Sequence, residues 1–205
     1  MDAPTTPGKR GPKPNPNTRD NLLRAGTRAV HRRGFAATGV KDIVEAADVP
    51  KGSFYNHFPS KEAFGAEIAD HYFEASLNQI RATLTDPAVN PVHRLRNHFT
   101  HLATGFTKSG YARGCLLGNL SLEVADHSDL IRSRLSAHFS TWAGLIENCI
   151  RQAQTDGDIT TTVPAHVLAG FVLNSWEGAL LRMRAEQSNA PLSDFLTVTF
   201  DVVLT

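Results

Sequence analysis

Lys51, Gly52, Ser53, Tyr55, Asn56, His57 and Lys61 fall within eleven positions of one another, and their side chains suit contact with a polyanionic duplex. An ammonium, an imidazole and a phenol can hold phosphate oxygens. Lysine, serine and asparagine side chains, and the close backbone approach that a glycine permits, serve contact with base edges. Such chemistry needs a frame. Val40 to Ala47 has Ile43, Val44 and Ala47 on one side of a short helix, and Lys51 to His57 is long enough for a second. Between them, Asp48 tolerates a left-handed turn, Val49 is placed to pin the two helices, and Pro50 suits the start of a new one. The pattern predicts a helix-turn-helix whose second helix begins with Lys51-Gly52-Ser53. Phe54 and Phe58 read as packing residues, whereas Tyr55 and His57 read as outward.

Other residues with reactive potential are few. Cys115 and Cys149 are the only cysteines, 34 positions apart, too few for a disulfide scaffold. Cys115 stands at a predicted helix start beside Arg113, where a helix dipole and a cation would lower a thiol pKa. The alternative is a buried small apolar residue in a Gly-rich helix contact. Cys149 reads as core. His93, His98 and His101 share a predicted helix, but no further ligand that would complete a metal site is identifiable. There is no Gly-rich phosphate loop, nucleophile elbow or paired metal motif. An enzyme built on Cys115 or a His/Asp pair is therefore disfavoured, and no cofactor is expected. An architectural DNA binder would leave the large acidic body unexplained.

The elements that position these residues are helical throughout. A first helix starts at Thr18 and carries Leu22, Leu23, Ala25, Gly26, Ala29 and Val30 until Gly34. A long fourth helix starts at Ser60 and runs to about Thr83. Further helices are expected over Pro91 to Lys108, Cys115 to Val124, Ser128 to about Thr155, Pro164 to about Gln187, and Leu192 to the end. No stretch alternates with period two, so the expectation is an all-α chain of about nine helices. The domain expectation is a basic arm over 1–17, a helix-turn-helix domain over 18–62 and a larger helical body over 63–205.

Among the 205 residues, the net charge of +1 hides an uneven split. Residues 1–61 carry eleven Lys/Arg against five Asp/Glu, and residues 62–205 carry ten against fifteen. The first segment is thus suited to an anionic partner. Five of the eleven prolines lie within residues 1–17 around Lys9, Arg10 and Lys13. This arm could enter a minor groove or remain a solvated tail. No apolar run approaches the roughly 18 residues that span a bilayer, and the first thirty residues have no apolar signal core, so a cytoplasmic protein is expected.

The run from Gly34 through Thr38-Gly39-Val40, Ile43-Val44-Glu45-Ala46-Ala47-Asp48-Val49-Pro50-Lys51-Gly52-Ser53-Phe54-Tyr55-Asn56-His57-Phe58 to Glu62 closely resembles the DNA-binding signature of TetR-type (tetracycline-repressor-like) transcriptional regulators. The resemblance covers about a seventh of the chain, or a fifth with the first helix. Asp48 stands where that family usually has Gly, and Pro50 where it usually has Ser or Thr, which removes a hydroxyl that could cap the helix or touch a phosphate. By position, the resemblance implies base readout from Lys51, Gly52, Ser53 and Asn56, and phosphate contacts from Thr38, Tyr55, His57 and Lys61. It implies a ligand-responsive dimer, most often a repressor released from a palindromic operator when an effector changes the separation of two reading helices.

The resemblance further implies that the last two helices pair with their copies in a four-helix bundle. Ala169, Gly170, Ser175 and Gly178 would allow close approach, and Phe171, Trp176, Phe195 and Val202 would supply apolar area, although the same residues could serve an intrachain core. Effector-pocket candidates are Tyr72, Phe73, Phe99, Phe106, Trp142 and Trp176, suited to a small hydrophobic or amphipathic molecule. The stretch Arg113 to Leu120 is similar to one in TetR-type repressors that sense electrophiles through a cysteine, which adds Cys115 and an electrophilic effector to the candidates.

Overall fold

The computed structural model describes residues 16–205; Lys9, Arg10 and Lys13 of the expected arm lie outside the described residues. The described residues form nine α-helices and no strand: α1 (Thr18–Arg33), α2 (Val40–Ala46), α3 (Lys51–His57), α4 (Lys61–Leu84), α5 (Pro91–Lys108), α6 (Leu116–Val124), α7 (Asp129–Asp156), α8 (Ala165–Glu186) and α9 (Ala190–Val198). The all-α expectation holds, with boundaries close to those read from the sequence. The last helix departs from it. It starts at Ala190, with Pro191 in its first turn, and ends in a π-helical turn over Thr199–Val203.

The first three helices close around aromatic side chains. Leu22, Ile43, Phe54, Phe58 and Phe64 are fully buried. The Phe54, Phe58 and Phe64 rings meet with centroids 4.7 to 5.4 Å apart. α1 crosses α4 at Gly26, where an added Cβ would fall 2.3 Å from the Phe64 ring, so only glycine permits this contact.

The α2–α3 turn follows the sequence reading. Asp48 has φ 53°, in the left-handed region, and the Val49 amide donates to the Val44 carbonyl at 3.0 Å, closing the end of α2. Pro50 precedes α3 rather than entering it, and its carbonyl accepts from the Ser53 amide at 2.9 Å.

α4 is the rod between the two ends of the molecule. Ser60 caps it by accepting from the Ala63 amide at 3.0 Å. α4 pairs with α1 through Glu67 and Arg19, and with α7 through Asp70, which meets His138 at 2.7 Å and Arg134 at 3.4 Å. Ser128, which caps α7, also donates its hydroxyl to Glu62 in the first turn of α4. The reading helices and the body thus share one mechanical element.

Candidate nucleic-acid interface and effector cavity

α3 is amphipathic in the way a reading helix requires. Phe54 and Phe58 point into the core, while Lys51, Gly52, Tyr55, Asn56 and His57 are exposed and Ser53 is half-buried. Lys51, Gly52, Tyr55 and Asn56 follow the spacing of a single helix face. Tyr55 keeps 56% of its surface open although its ring edge packs on Phe54 at 5.2 Å. These side chains are held outward by the core beneath them.

Two residues of the expected phosphate set sit differently. Thr38 is fully buried, and its hydroxyl donates to the Gly34 carbonyl at 2.7 Å. It therefore anchors the α1–α2 connection and offers no hydroxyl to a phosphate, a correction to the sequence reading. Lys61 folds back: its Nζ reaches the Ala36 carbonyl at 3.4 Å and lies 4.6 Å from the Phe35 ring centroid. Partial burial lowers its pKa, and the negative charges of Glu123 and Asp42 oppose that shift.

In the body, Tyr72, Phe73, Phe106, Cys115, Trp142 and Trp176 converge on a space of only about 50 Å³. That volume suits one or two water molecules. Phe99 stacks behind them, 5.3 Å from Trp176 and 5.1 Å from Phe195. These aromatics are mainly core. Next to them lies a larger cavity of about 390 Å³ between α6, α7 and α8. Cys115 and Leu180 line both spaces. Glu177, Asn174 and Phe139 line the larger one and were absent from the sequence reading.

Cys115 is buried, and burial pushes its thiol pKa well above the ordinary value. The neighbouring Glu177 carboxyl adds to that rise, and the Gly118 and Leu117 amides oppose it. Of the two readings of Cys115, the structure favours the buried small residue over a thiol activated by a helix dipole and Arg113. Glu177 is itself pushed up to about 7 by burial. Cys149 is core as expected; its thiol donates to the Pro91 carbonyl at 3.1 Å. His98 is buried and accepts the Trp142 indole N–H at Nε2, 3.3 Å away, while His93 and His101 are exposed. Among the described residues, no group of three or more His, Cys, Asp or Glu is placed to hold a metal.

α6 joins this cavity to the helix-turn-helix. At its start, the carbonyl of Gly114 accepts from His31 Nε2 on α1 at 2.8 Å. A carbonyl only accepts, so Nε2 carries the proton. At its end, Glu123 accepts the amides of Phe35 and Ala36 at 2.7 and 3.1 Å. α6 is thus tied to α1 at one end and to the α1–α2 connection at the other.

Comparison with known proteins decides what this arrangement belongs to. Residues 22–68 match the family described as "Bacterial regulatory proteins, tetR family", and residues 91–199 match "Tetracyclin repressor-like, C-terminal domain". The chain is 42% identical to the HTH-type transcriptional repressor DhaR of Mycobacterium sp. (strain GP1), over 91% of this chain and 92% of that protein. This chain belongs to the tetR family. A solved regulatory protein TetR from Rhodobacter sphaeroides is similar, with TM-score 0.83 and 33% identity over 90% of this chain and 97% of its own. So is the reduced form of E. coli NemR, with TM-score 0.83 and 28% identity over 91% and 97% of the two chains.

As a tetR-family member the chain is a DNA-binding transcriptional regulator, with its helix-turn-helix in the first matched segment and a helical body in the second. No helix among the described residues is long and apolar enough to cross a membrane.

Proposed function

We propose that this tetR-family chain is a homodimeric cytoplasmic repressor that reads a palindromic operator with α3 and leaves it when a small molecule enters its body. The observation that carries the reading is the outward row Lys51, Gly52, Tyr55 and Asn56 on a helix fixed from behind by Phe54 and Phe58. Ser53 and Asn56 serve base edges beside Lys51 and Gly52. Tyr55 and His57 serve phosphates, and Lys61 joins them once it swings off Phe35. We assign residues 18–62 to DNA and residues 63–205 to effector and partner.

A second copy fits the outer face of α8 and the C-terminal turns. Val167, Phe171 (48% open), Leu181, Val198 and Val202 (66% open) form an apolar surface there, with Gly170 and Gly178 allowing close approach. Trp176, Phe195 and Ala169 are buried within their own chain and do not contribute area, which narrows the interface expected from sequence. The effector is small and hydrophobic, because the larger cavity is apolar; the electrophilic alternative loses its support because burial holds the Cys115 thiol un-ionised.

Selection of bound genomic fragments with purified protein tests the reading. It expects recovery of one palindrome, bound by a dimer, with affinity falling steeply as salt rises. Binding of equal strength to all duplexes would overturn it.

A further inference from the structure

The larger cavity carries a chemical signature of its ligand. Leu122 from α6, Phe139 from α7, and Leu173, Leu180 and Leu181 from α8 make its walls apolar. One acidic side chain, Glu177, enters from α8. Its Oε1 is sealed from solvent and has no hydrogen-bond partner among the described residues. Its Oε2 lies over the first turn of α6, where a Cβ on Gly118 would come within 2.5 Å. Glycine at 118 therefore makes room for the carboxyl, which has the Cys115 thiol as a hydrogen-bond neighbour and leaves Oε1 without a partner.

The groups facing Glu177 do not neutralise it. Cys115 at the start of α6 and Tyr72 on α4 are held un-ionised by burial, and α7 presents only the ring of Phe139. Arg184, two turns further along α8, has its guanidinium engaged with Asn119 Oδ1 at 2.7 Å. Desolvation accordingly dominates the acidity of Glu177, opposed only by the hydrogen bond from the Cys115 thiol and by no cation. A ligand that brings its own donor supplies what the fold leaves out.

We propose that this cavity binds a small molecule with an apolar body and a single hydrogen-bond donor, an alcohol or a primary ammonium, which pairs with the Glu177 carboxyl as that side chain turns toward it. The inference rests on the reading of the body as effector-binding and specifies the ligand class. A volume of about 390 Å³ is at the low end of small-molecule sites. The walls take a short alkyl chain, and the one polar anchor sets its orientation. A donor pairs best with the ionised carboxylate, so near neutral pH its binding drives a proton off Glu177. A ligand carboxylate would place a second negative charge beside it, and a ketone would pair only with the protonated carboxyl, taking a proton up rather than releasing one.

Titration calorimetry on the full chain at pH 7, in phosphate and in Tris, reads both affinity and protons exchanged. The probes are 1-hexanol, 1-hexylamine, hexanoate and 2-hexanone. The expected result is that the alcohol or the amine binds at least tenfold more tightly than the other two, with net proton release. Glu177→Gln should abolish the proton release, and Glu177→Met should cost tenfold or more in affinity. Gly118→Ala, which drives a methyl group into the carboxyl, should weaken the same probes. Preference for hexanoate or 2-hexanone, proton uptake, or unchanged affinity in Glu177→Met would overturn the proposal. So would a dimer that takes up none of the probes, since the partner then fills the space. Operator binding measured on the same samples separates the two levels: bound DNA without probe binding sinks only the cavity assignment. Glu177-dependent probe binding that leaves operator affinity unchanged supports the site and sinks only the effector reading.

Discussion

The Glu123 carboxylate closes on the backbone amide of Phe35 at 2.7 Å, across 88 positions of sequence, and binds the end of α6 to the loop that leads into α2. The same oxygen takes the Ala36 amide at 3.1 Å, and Lys61 reaches the Ala36 carbonyl from the other side. On the proposed function, a ligand that shifts α6 at its Cys115 end would act on α2 and α3 through these contacts.

Glu123→Ala removes both charge-assisted bonds at a partly exposed site. The expected loss is about 1–2 kcal/mol of stability, with effector-induced operator release weakened more than operator binding itself. Chemical denaturation and operator titration with and without ligand check this. Release that persists at full strength would place the coupling elsewhere.

Glu177 and His98 act on stability in opposite directions across the same pH range. His98 is held down to about 4 by burial. The unfolded chain takes up its proton near 6.5, so stability is lost as pH falls from about 6.5 toward 4. The indole N–H of Trp142, pointing at Nε2, fixes the neutral form. Glu177 is raised to about 7, so its contribution is full below about 4.5 and lost as pH rises through 7. Glu177→Gln should therefore be more stable than the parent at pH 7.5, by on the order of 2 kcal/mol. That advantage should fade below pH 5. Urea unfolding at pH 7.5, 6 and 5 gives the comparison; a pH-independent difference would contradict the burial of this carboxyl.

The helices and the outward face of α3 were legible in the sequence because they rest on local rules, whereas the roles given to Lys51, Ser53 and Asn56 came from the family resemblance. Leu22, Val30 and Ile43 recur at helical spacing, Ser60 and Ser128 cap, and Asp48 takes the turn, all without knowledge of the tertiary fold. The cavities of the body were legible only in part. The aromatics of the small space announced themselves by size, but size selects core. Glu177 lies on α8 between Trp176 and Leu180, both buried, and that setting was the one signal that it turns inward. Glu123 gave none, since an acidic residue near a helix end reads as solvated until the distant loop is placed against it. Thr38 misled for a related reason: its hydroxyl has a carbonyl partner four residues back, a local bond that pattern reading did not weigh against a phosphate.

Asp48 holds a left-handed conformation that glycine adopts without a Cβ penalty. Asp48→Gly should raise stability by about 0.5–1 kcal/mol. Thermal unfolding at fixed protein concentration measures it. A loss of stability would mean that the Asp48 side chain supports the turn.

The Cys115 thiol should be sluggish. With its pKa well above the usual thiol value, little thiolate exists at pH 7.5, and iodoacetamide should label it at least tenfold more slowly than a free thiol. Glu177→Gln removes one cause of the rise and should speed labelling, read by peptide mass spectrometry. Rapid labelling of the parent protein would restore the activated thiol, the other reading that the sequence left open.

Operator binding by paired variants of α3 tests the central claim most directly. Tyr55→Ala should weaken binding to every duplex to a similar degree, while Asn56→Ala and Ser53→Ala should change the ranking among operator variants, each by about 1–3 kcal/mol at the affected base pair. Thr38→Val should lower stability yet leave the ranking and the salt slope of binding intact. If the α3 substitutions leave both affinity and ranking untouched while Thr38→Val alters them, the reading face lies elsewhere and the account fails.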